Sequence, residues 1–273
     1  MKHSPGIGAT KELSLRVSVA TLARVIFEHP QNGDLILALE RRATLYEAGT
    51  ERVVEVKSQP FGGAIRIHDI DLLQNIIGDF NFDSTESFLE KDFRLFIQPS
   101  AWEAVRGFCL EQFHTGDGSV LESDPRRELV EEFVDALGIS LKPDQYTYEP
   151  VGAVIENEPS PTDNVHAKGY PTVRIYRIFE ARILSPALAH AILANSESYS
   201  DPKLRELASE NSRNGGPGRA NAVLTLPLSR ISIAYLSIIP EARNAPISFE
   251  NHRLDETVTA VLENMLVPKY RRV

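Results

Sequence analysis

The sequence predicts a mixed α/β (α+β) fold, because segments with strand character alternate with segments with helical character. Its 273 residues are 42% hydrophobic and 25% charged, a globular composition that argues against disordered and fibrous classes. Alternating or continuous apolar runs predict strands at 17–22, 34–41 and 172–184. Apolar residues at helical spacing predict helices at 71–80, 100–113 and 124–137.

The first part of the chain is expected to form a group of strands. Asn32-Gly33 is a hairpin signal. Residues 52–57 alternate and lead into Gln59-Pro-Phe-Gly-Gly63, where a turn is expected. Residues 1–14 are polar and are expected to form a flexible tail. Residues 15–273 are expected to form one domain.

Two stretches interrupt the strands and are expected to be helical insertions, at about 66–121 and 185–220. Strand character returns at 222–226 and at 231–239. Residues 255–266 are expected to form a terminal amphipathic helix.

The charge and the cysteine content of the chain argue against several classes of protein. There are 38 Asp and Glu against 29 Lys and Arg, a net charge of −9, which argues against a nucleic-acid groove. The single Cys109 excludes an intramolecular disulfide and fits a reducing compartment, so a cytoplasmic location is expected. The apolar runs are shorter than the ~18 residues that a membrane helix needs, so no membrane partner is expected.

The helix at 124–137 is the most informative segment. Asp124-Pro125 is a start signal and Gly138 is a stop signal. One face is apolar, and the other carries carboxylates without a lysine, although like charges at this spacing repel by about 0.2–0.5 kcal/mol per pair. Such a face is either a solvated surface or a site for a hard cation such as Mg²⁺ or Mn²⁺. The carboxylates are those of Glu128, Glu131, Glu132 and Asp135.

Three short motifs resemble the Nudix hydrolase superfamily. Arg127-Glu-Leu-Val-Glu-Glu132 resembles the second half of the Nudix box, R-E-U-x-E-E with U aliphatic. Phe61-Gly-Gly63 matches the family's glycine pair, and Glu122-Ser-Asp-Pro125 resembles its helix entry. The resemblance implies a Nudix-like α/β/α sandwich with a mixed sheet, spread loosely over Val17 to Leu266.

The chain also departs from the family pattern. A long insertion separates the glycine pair from Glu122, and four residues stand between Glu122 and Arg127 where the family leaves seven. Val134 stands where the family has a glycine, and the helix ends at Gly138. These departures change the match at Glu122 more than the match at the helix carboxylates.

The resemblance implies divalent-metal-dependent hydrolysis of a pyrophosphate bond in a nucleoside diphosphate linked to another moiety. Glu128, Glu131 and Glu132 would ligate Mg²⁺ or Mn²⁺, and one of them or a loop carboxylate would accept the proton of the attacking water. Pyrophosphate cleavage needs charge neutralisation on bridging oxygens and a positioned water, which fits this set.

Other residues have supporting roles in this interpretation. Gly62 and Gly63 would let the backbone approach the metal and phosphates closely. Arg66 could meet a phosphate, and Arg127 would orient a neighbouring Glu by a charged hydrogen bond. Three further residues could line a substrate pocket, namely Tyr170, Arg174 and Tyr176.

Two other interpretations stay open. The altered box spacing and the insertions favour a catalytically weak Nudix-fold module that binds a nucleotide derivative or acts in regulation. The third interpretation is a generic α/β protein in which the acidic face of the helix is only a solvated surface. In every case the expected partner is a small molecule and not a nucleic acid, and the apolar helices of the first insertion could form a homodimer surface. The enzyme interpretation requires the carboxylate oxygens to face one cavity beside the Gly62–Gly63 backbone.

Overall fold

The computed structural model describes residues 5–48, 51–122, 124–162, 166–231, 247–249, 251–255, 257–258 and 261–262. The strands are β1 (Gly6–Ile7), β2 (Leu15–Glu28), β3 (Leu35–Ala48), β4 (Glu51–Gln59), β5 (Phe61–Ala64), β6 (Phe80–Phe82), β7 (Arg94–Ile97), β8 (Tyr146–Pro161), β9 (Pro171–Ile183), β10 (Arg219–Pro227), β11 (Ile247–Phe249) and β12 (His252–Leu254). The helices are α1 (Ile70–Ile77), α2 (Thr85–Glu90), α3 (Trp102–Thr115), α4 (Arg126–Leu137), α5 (Pro186–Ser198) and α6 (Asp201–Arg213).

Strand β2 is the centre of a mixed sheet. It pairs antiparallel with β3, β5 and β7 and parallel with β9. The sheet runs in the order β1-β6-β7-β2-β3-β4-β12-β11, with β10 paired to β3 and β8 paired to β9. Helices and a curled mixed sheet together confirm the predicted α+β class.

The turn between β2 and β3 is the predicted hairpin. The backbone N–H of His29 donates to Asp34 O at 2.7 Å, and Gly33 adopts a φ of +73°. That conformation favours glycine, which has no Cβ to clash with its own backbone. Asn32-Gly33 therefore gave a correct local prediction.

The glycine pair lies in a strand, which corrects the expected turn. Pro60 separates β4 from β5, and within β5 Gly62 pairs with Leu22 and Gly63 with Thr21. A proline has no backbone N–H, so it breaks the ladder at one position and pairing resumes beyond it.

Residues 66–121 are not a purely helical insertion, because they also hold β6 and β7. Strand β7 pairs with β2 through Val17↔Leu95, and the two strands share one core with Val105 of α3. The insertion extends the central sheet because its apolar strand residues are buried against those of β2.

Residues 5–14, which belong to the expected flexible tail, include a short strand. Strand β1 pairs parallel with β6, and Gly8 N donates to Phe82 O at 2.8 Å. Leu13 is buried against Phe96 and Ala167. These contacts give the segment a defined place at the edge of the sheet.

Both faces of the sheet are covered near the end of β2. On one face Val25 packs with Leu129 and Phe133 of α4. On the other face Ile26 packs with Val258 and Val261 near the end of the chain. Successive strand residues point to opposite faces, so β2 is apolar on both sides here.

The second insertion, at 185–220, is helical as predicted and supplies α5 and α6. Helix α6 packs on β3 and β4 through Leu204, Ala208 and Ala43. The strand predicted at 231–239 lies outside the described residues beyond Ile231, which is helical. Of the predicted terminal helix, residues 257–258 and 261–262 are described and are helical, whereas Asp255 is described and is not helical. Among all described residues, no helix is long and apolar enough to cross a bilayer.

Candidate functional site

Helix α4 begins and ends close to the predicted signals. Pro125 occupies the N-cap position, and Asp124 Oδ1 accepts from the N–H of Arg126 at 2.8 Å. Gly138 ends the helix with a φ of +67°, and its N–H donates to Val134 O. A left-handed glycine satisfies a carbonyl of the last turn that would otherwise lack a partner.

The apolar face of α4 seats the helix on β5. Leu129, Phe133 and Ala136 are buried, and the rings of Phe133 and Phe61 lie 4.7 Å apart between centroids. Because Phe61 immediately precedes the glycine pair, this contact places one turn of α4 directly over that backbone.

Glu132 is oriented by the glycine backbone and by an arginine. The N–H of Gly62 donates to Glu132 Oε2 at 2.5 Å, while Oε1 lies 3.9 Å from Arg42 Nη2. Arg42 is itself held by buried Glu40 at 2.7 Å, and Gln59 donates to the same carboxylate at 2.8 Å. Burial, and next the charge of Glu40, raise the pKa of Glu132 well above its ordinary value.

Glu128 lies over Gly63. A Cβ built on Gly63 would lie 2.8 Å or less from both carboxylate oxygens of Glu128, so this carboxylate can keep its position only over a glycine. Burial, and more weakly the charges of Glu131, Glu122 and Asp92, raise the pKa of Glu128 to about 7 against the attraction of Arg127.

Arg127 connects several of these carboxylates. Its guanidinium donates to both oxygens of Glu122, at 2.8 and 2.7 Å, and to Ala64 O at 3.0 Å. It also lies 2.6 Å from Glu128 Oε1 and 3.2 Å from Glu131 Oε2. A bidentate arginine–carboxylate pair is strongly directional, so Glu122 fixes the direction of Arg127.

The three predicted metal ligands are not brought to one point. Glu128 and Glu132 lie on the glycine backbone, whereas the Glu131 side chain is 55% exposed and turned toward Arg127. Across the described part of the chain, no group of three or more His, Cys, Asp or Glu side chains is placed to hold a metal ion.

Arg66 does not face the glycine pair. Its guanidinium pairs with Glu90 at 2.5 Å, and its backbone N–H donates to Glu122 Oε2 at 3.3 Å. The Arg66 side chain is therefore not positioned for the expected phosphate contact. Its backbone N–H helps to hold Glu122.

Two carboxylates of the site were missed in the sequence. Glu40 is fully buried on β3, and Asp92 is buried within the first insertion, two residues before β7 begins. A charged residue directly after the apolar run 35–39, and still within the strand, was a usable signal for Glu40. Asp92 had no local signal, because only the pairing of the insertion with β2 brings it near Arg127.

A cleft of about 490 Å³ lies on the solvent side of this cluster. It adjoins the exposed turn of α4, where Glu122, Arg127 and Glu131 meet. Its remaining lining consists of His68, Gly118, Asp124, Arg126 and Val130. Glu131 and Glu122 line this cleft, whereas Glu128 and Glu132 are not part of its lining.

Comparisons with known proteins add little. No family model and no curated protein matches the chain. Among solved structures, one described as "Structure of T. brucei MERS1-RNA complex" is similar over 89% of this chain, at 7% identity and a TM-score of 0.24. This chain spans 62% of the length of that one. A similarity this low carries no argument about fold or function.

Proposed function

We propose that the chain is a divalent-metal-dependent hydrolase that cleaves a pyrophosphate bond in a nucleoside diphosphate linked to another moiety. The supporting observation is that two buried carboxylates, Glu128 and Glu132, lie on the backbone of Gly62 and Gly63. A small-molecule nucleotide derivative as partner and a cytoplasmic location belong to the same proposal.

The residues present fit Mg²⁺ or Mn²⁺ as a two-carboxylate site. Carboxylate oxygens are the ligands that these ions prefer, and Mg²⁺ is commonly held by one or two carboxylates together with substrate phosphates. A buried pair with raised pKa values gains most from such an ion, because the ion stabilises the charged form that burial disfavours. A third protein carboxylate is not required.

The chain's own groups would prepare this site. The ion, when bound, supplies charge neutralisation on the phosphate oxygens. The N–H of Gly62 fixes one oxygen of Glu132, and Arg127, held by Glu122, fixes Glu128. Burial of both carboxylates under α4 limits access of bulk water and strengthens these electrostatic interactions.

A binding module without turnover is the second candidate. It is favoured by the contacts of Arg127 with Glu122, Glu128 and Glu131, which neutralise part of the acidic cluster. The altered spacing around Glu122 points the same way. Such a module would retain the nucleotide derivative and release it unchanged.

A hydrolysis panel of nucleoside diphosphate compounds with Mg²⁺ and Mn²⁺ tests the proposal. Glu128→Gln and Glu132→Gln should each lower kcat/KM by about 100-fold or more, since each removes a charged group at the reacting phosphates. Asp135→Asn is the matched control, because Asp135 is an exposed carboxylate on the same helix. Its activity should stay within about twofold of the unmodified chain.

The outcomes separate the candidates. Hydrolysis that is unchanged in both glutamine variants contradicts the assigned site. Binding of a panel compound without cleavage, with either metal, supports the binding module instead.

A further inference from the structure

One polar residue interrupts the apolar face that β2 turns toward α4. Alternate residues of a strand point to the same side, and the residues on this side include Val25, which packs with Leu129 of α4. All of them are apolar except Thr21, which is 1% exposed. The row consists of Leu15, Val17, Val19, Thr21, Ala23, Val25 and Phe27.

The hydroxyl of Thr21 is buried without a hydrogen-bond partner among the described residues. Such a hydroxyl lowers stability, because the hydrogen bonds that it makes to water in the unfolded chain are not replaced. Valine is also β-branched and equally suited to a strand, and it carries no such cost. The packing of β2 therefore does not explain why this position holds a threonine.

Thr21 lies beside the place where Glu128 meets the glycine backbone. Thr21 and Gly63 are directly paired between β2 and β5, so their Cβ positions project from the same face, about 4.5–5.5 Å apart. Glu128 Oε2 is the atom nearest to where a Cβ of Gly63 would lie. The Thr21 side chain and Glu128 Oε2 are thus neighbours on one face of the sheet.

The two carboxylate oxygens of Glu128 differ in their contacts. Oε1 lies 2.6 Å from Arg127 Nη2, whereas no described residue donates a hydrogen bond to Oε2. The Thr21 hydroxyl can donate and Oε2 can accept, although the two do not bond directly. Two hydrogen bonds through one water molecule span about 5–6 Å, which is close to the spacing of paired side chains.

The arginine on the other side of Thr21 is directed toward α3. Arg177 of β9 is paired with Thr21, and its Nη2 donates to Phe113 O at 3.0 Å. Its guanidinium also lies over the rings of Phe113 and Phe179, 5.1 and 5.0 Å from their centroids. Glu128 is therefore the group of the candidate site that lies next to the Thr21 hydroxyl.

We propose that Thr21 is a positioning residue of the proposed metal site, whose hydroxyl holds Glu128 Oε2 over Gly63 through one water molecule. This role rests on the proposed function, in which Glu128 and Glu132 hold Mg²⁺ or Mn²⁺. Groups that hydrogen-bond a metal ligand fix its direction, and their loss commonly lowers metal affinity by about 10- to 100-fold. Arg127 at Oε1 and Thr21 at Oε2 then fix both ends of one carboxylate.

This role predicts different effects on stability and on metal binding. In the metal-free chain Thr21→Val removes a hydroxyl that has no protein partner, so the midpoint of urea denaturation should be unchanged or higher. The same substitution should weaken Mn²⁺ binding by about tenfold or more. Thr21→Ser keeps the hydroxyl and should retain most of the Mn²⁺ affinity.

Thr172 provides the matched control. It is a fully buried threonine of β9 in the same sheet, but its hydroxyl donates to Tyr170 O at 3.2 Å. It is paired with Arg16, whose side chain lies on the face of β2 opposite to Thr21. Thr172→Val should therefore lower the midpoint of urea denaturation, because a hydrogen bond is lost, and leave the Mn²⁺ affinity unchanged.

Electron paramagnetic resonance of free Mn²⁺ measures binding by the metal-free chain and by each variant. If Thr21→Val binds Mn²⁺ as tightly as the unmodified chain while Glu128→Gln loses binding, the role of Thr21 is overturned and the proposed function stands. Equal weakening in Thr21→Val, Thr21→Ser and Thr172→Val overturns the role as well, because the effect is then structural. So does a loss of stability in Thr21→Val as large as that in Thr172→Val.

Failure of the metal site itself has a different signature. The unmodified chain then binds no Mn²⁺, or it binds Mn²⁺ with an affinity that neither Glu128→Gln nor Glu132→Gln changes. Either result contradicts the proposed site together with the role of Thr21.

Discussion

At the scale of single residues, the two adjacent glycines of β5 have different functions. Gly62 adopts a φ of +146°, and a Cβ there would collide with the backbone of Thr21 and Leu22. At Gly63 the backbone is unremarkable, and an added Cβ would meet only the movable carboxylate of Glu128. One glycine therefore serves the strand pairing and the other leaves space for the site.

Alanine substitutions should separate these functions. Gly62→Ala should lower the free energy of unfolding by about 1–3 kcal/mol or more, because the backbone has no room to adjust. Gly63→Ala should change it by less than about 1 kcal/mol but displace Glu128 and reduce hydrolysis or Mn²⁺ binding. Urea denaturation and a Mn²⁺ titration of both variants measure this. Equal stability losses in the two variants would contradict the distinction.

The raised pKa of Glu128 has a consequence for stability. Burial lifts this pKa from 4.5 to about 7, so between those values the folded chain holds a proton that the unfolded chain has released. In the absence of metal, stability must then fall as the pH rises through this range. Glu128→Gln remains neutral and should remove the fall.

Urea denaturation at several pH values measures this effect. As the pH rises from 4.5 to 7, the free energy of unfolding of Glu128→Gln should increase relative to that of the unmodified chain by up to about 3 kcal/mol. Glu111→Gln, at an exposed position of α3 away from this cluster, is the control and should leave the profile unchanged. Parallel profiles for Glu128→Gln and the unmodified chain would refute the assignment.

At the scale of the element, one turn of α4 both anchors the helix on the sheet and positions a carboxylate of the site. Phe133 packs on Phe61, and the neighbouring Glu132 reaches Gly62, one residue further along β5. The apolar face determines how close α4 comes to the sheet, and this distance determines whether Glu132 can accept the Gly62 N–H. The residue that packs the helix, Phe133, and the residue that belongs to the site, Glu132, are thus adjacent in α4.

Phe133→Ala should lower the free energy of unfolding by about 3–5 kcal/mol, because Phe133 is fully buried and its loss leaves a cavity. Val134→Ala is the neighbouring control, at 44% exposure, and should stay within about 0.5 kcal/mol. Chemical denaturation of both variants gives the comparison. A small effect of Phe133→Ala would mean that α4 is not anchored through this ring.

At the scale of the whole molecule, the first insertion and the remaining chain share one sheet. Arg16 of β2 and Asp83, which follows β6, form a buried ion pair between the two parts. Ser87 donates to the same Asp83 at 2.7 Å. Unfolding of the insertion would remove the pairing of β7 with β2, so both parts should unfold together.

Asp83→Ala leaves Arg16 buried without its carboxylate and should cost about 3–5 kcal/mol of stability. Denaturation followed by both tryptophan fluorescence and circular dichroism should show one coincident transition, because the single Trp102 lies in the insertion and the dichroism reports the whole chain. Asp79→Ala, at an exposed position nearby, should be neutral. Two separated transitions in the unmodified chain would show that the insertion folds on its own.

The sequence by itself determined the elements whose signals are local. The amphipathic pattern and end signals of α4 and the hairpin at Asn32-Gly33 follow from periodicity and from the conformations that glycine and proline allow. The glycine pair was also visible, although its place within a strand was not. Each of these signals depends on residues a few positions apart.

The tertiary structure alone decided which side chains meet. Glu40, Asp92 and Glu122 reach the α4 cluster from three separate segments, and Thr21 of β2 lies beside Gly63 of β5. Contacts across a sheet join residues that are distant in sequence, and a shift of one position in register would send each side chain to the other face. Local patterns do not contain that register, so the composition of the site emerges only when the strands are paired.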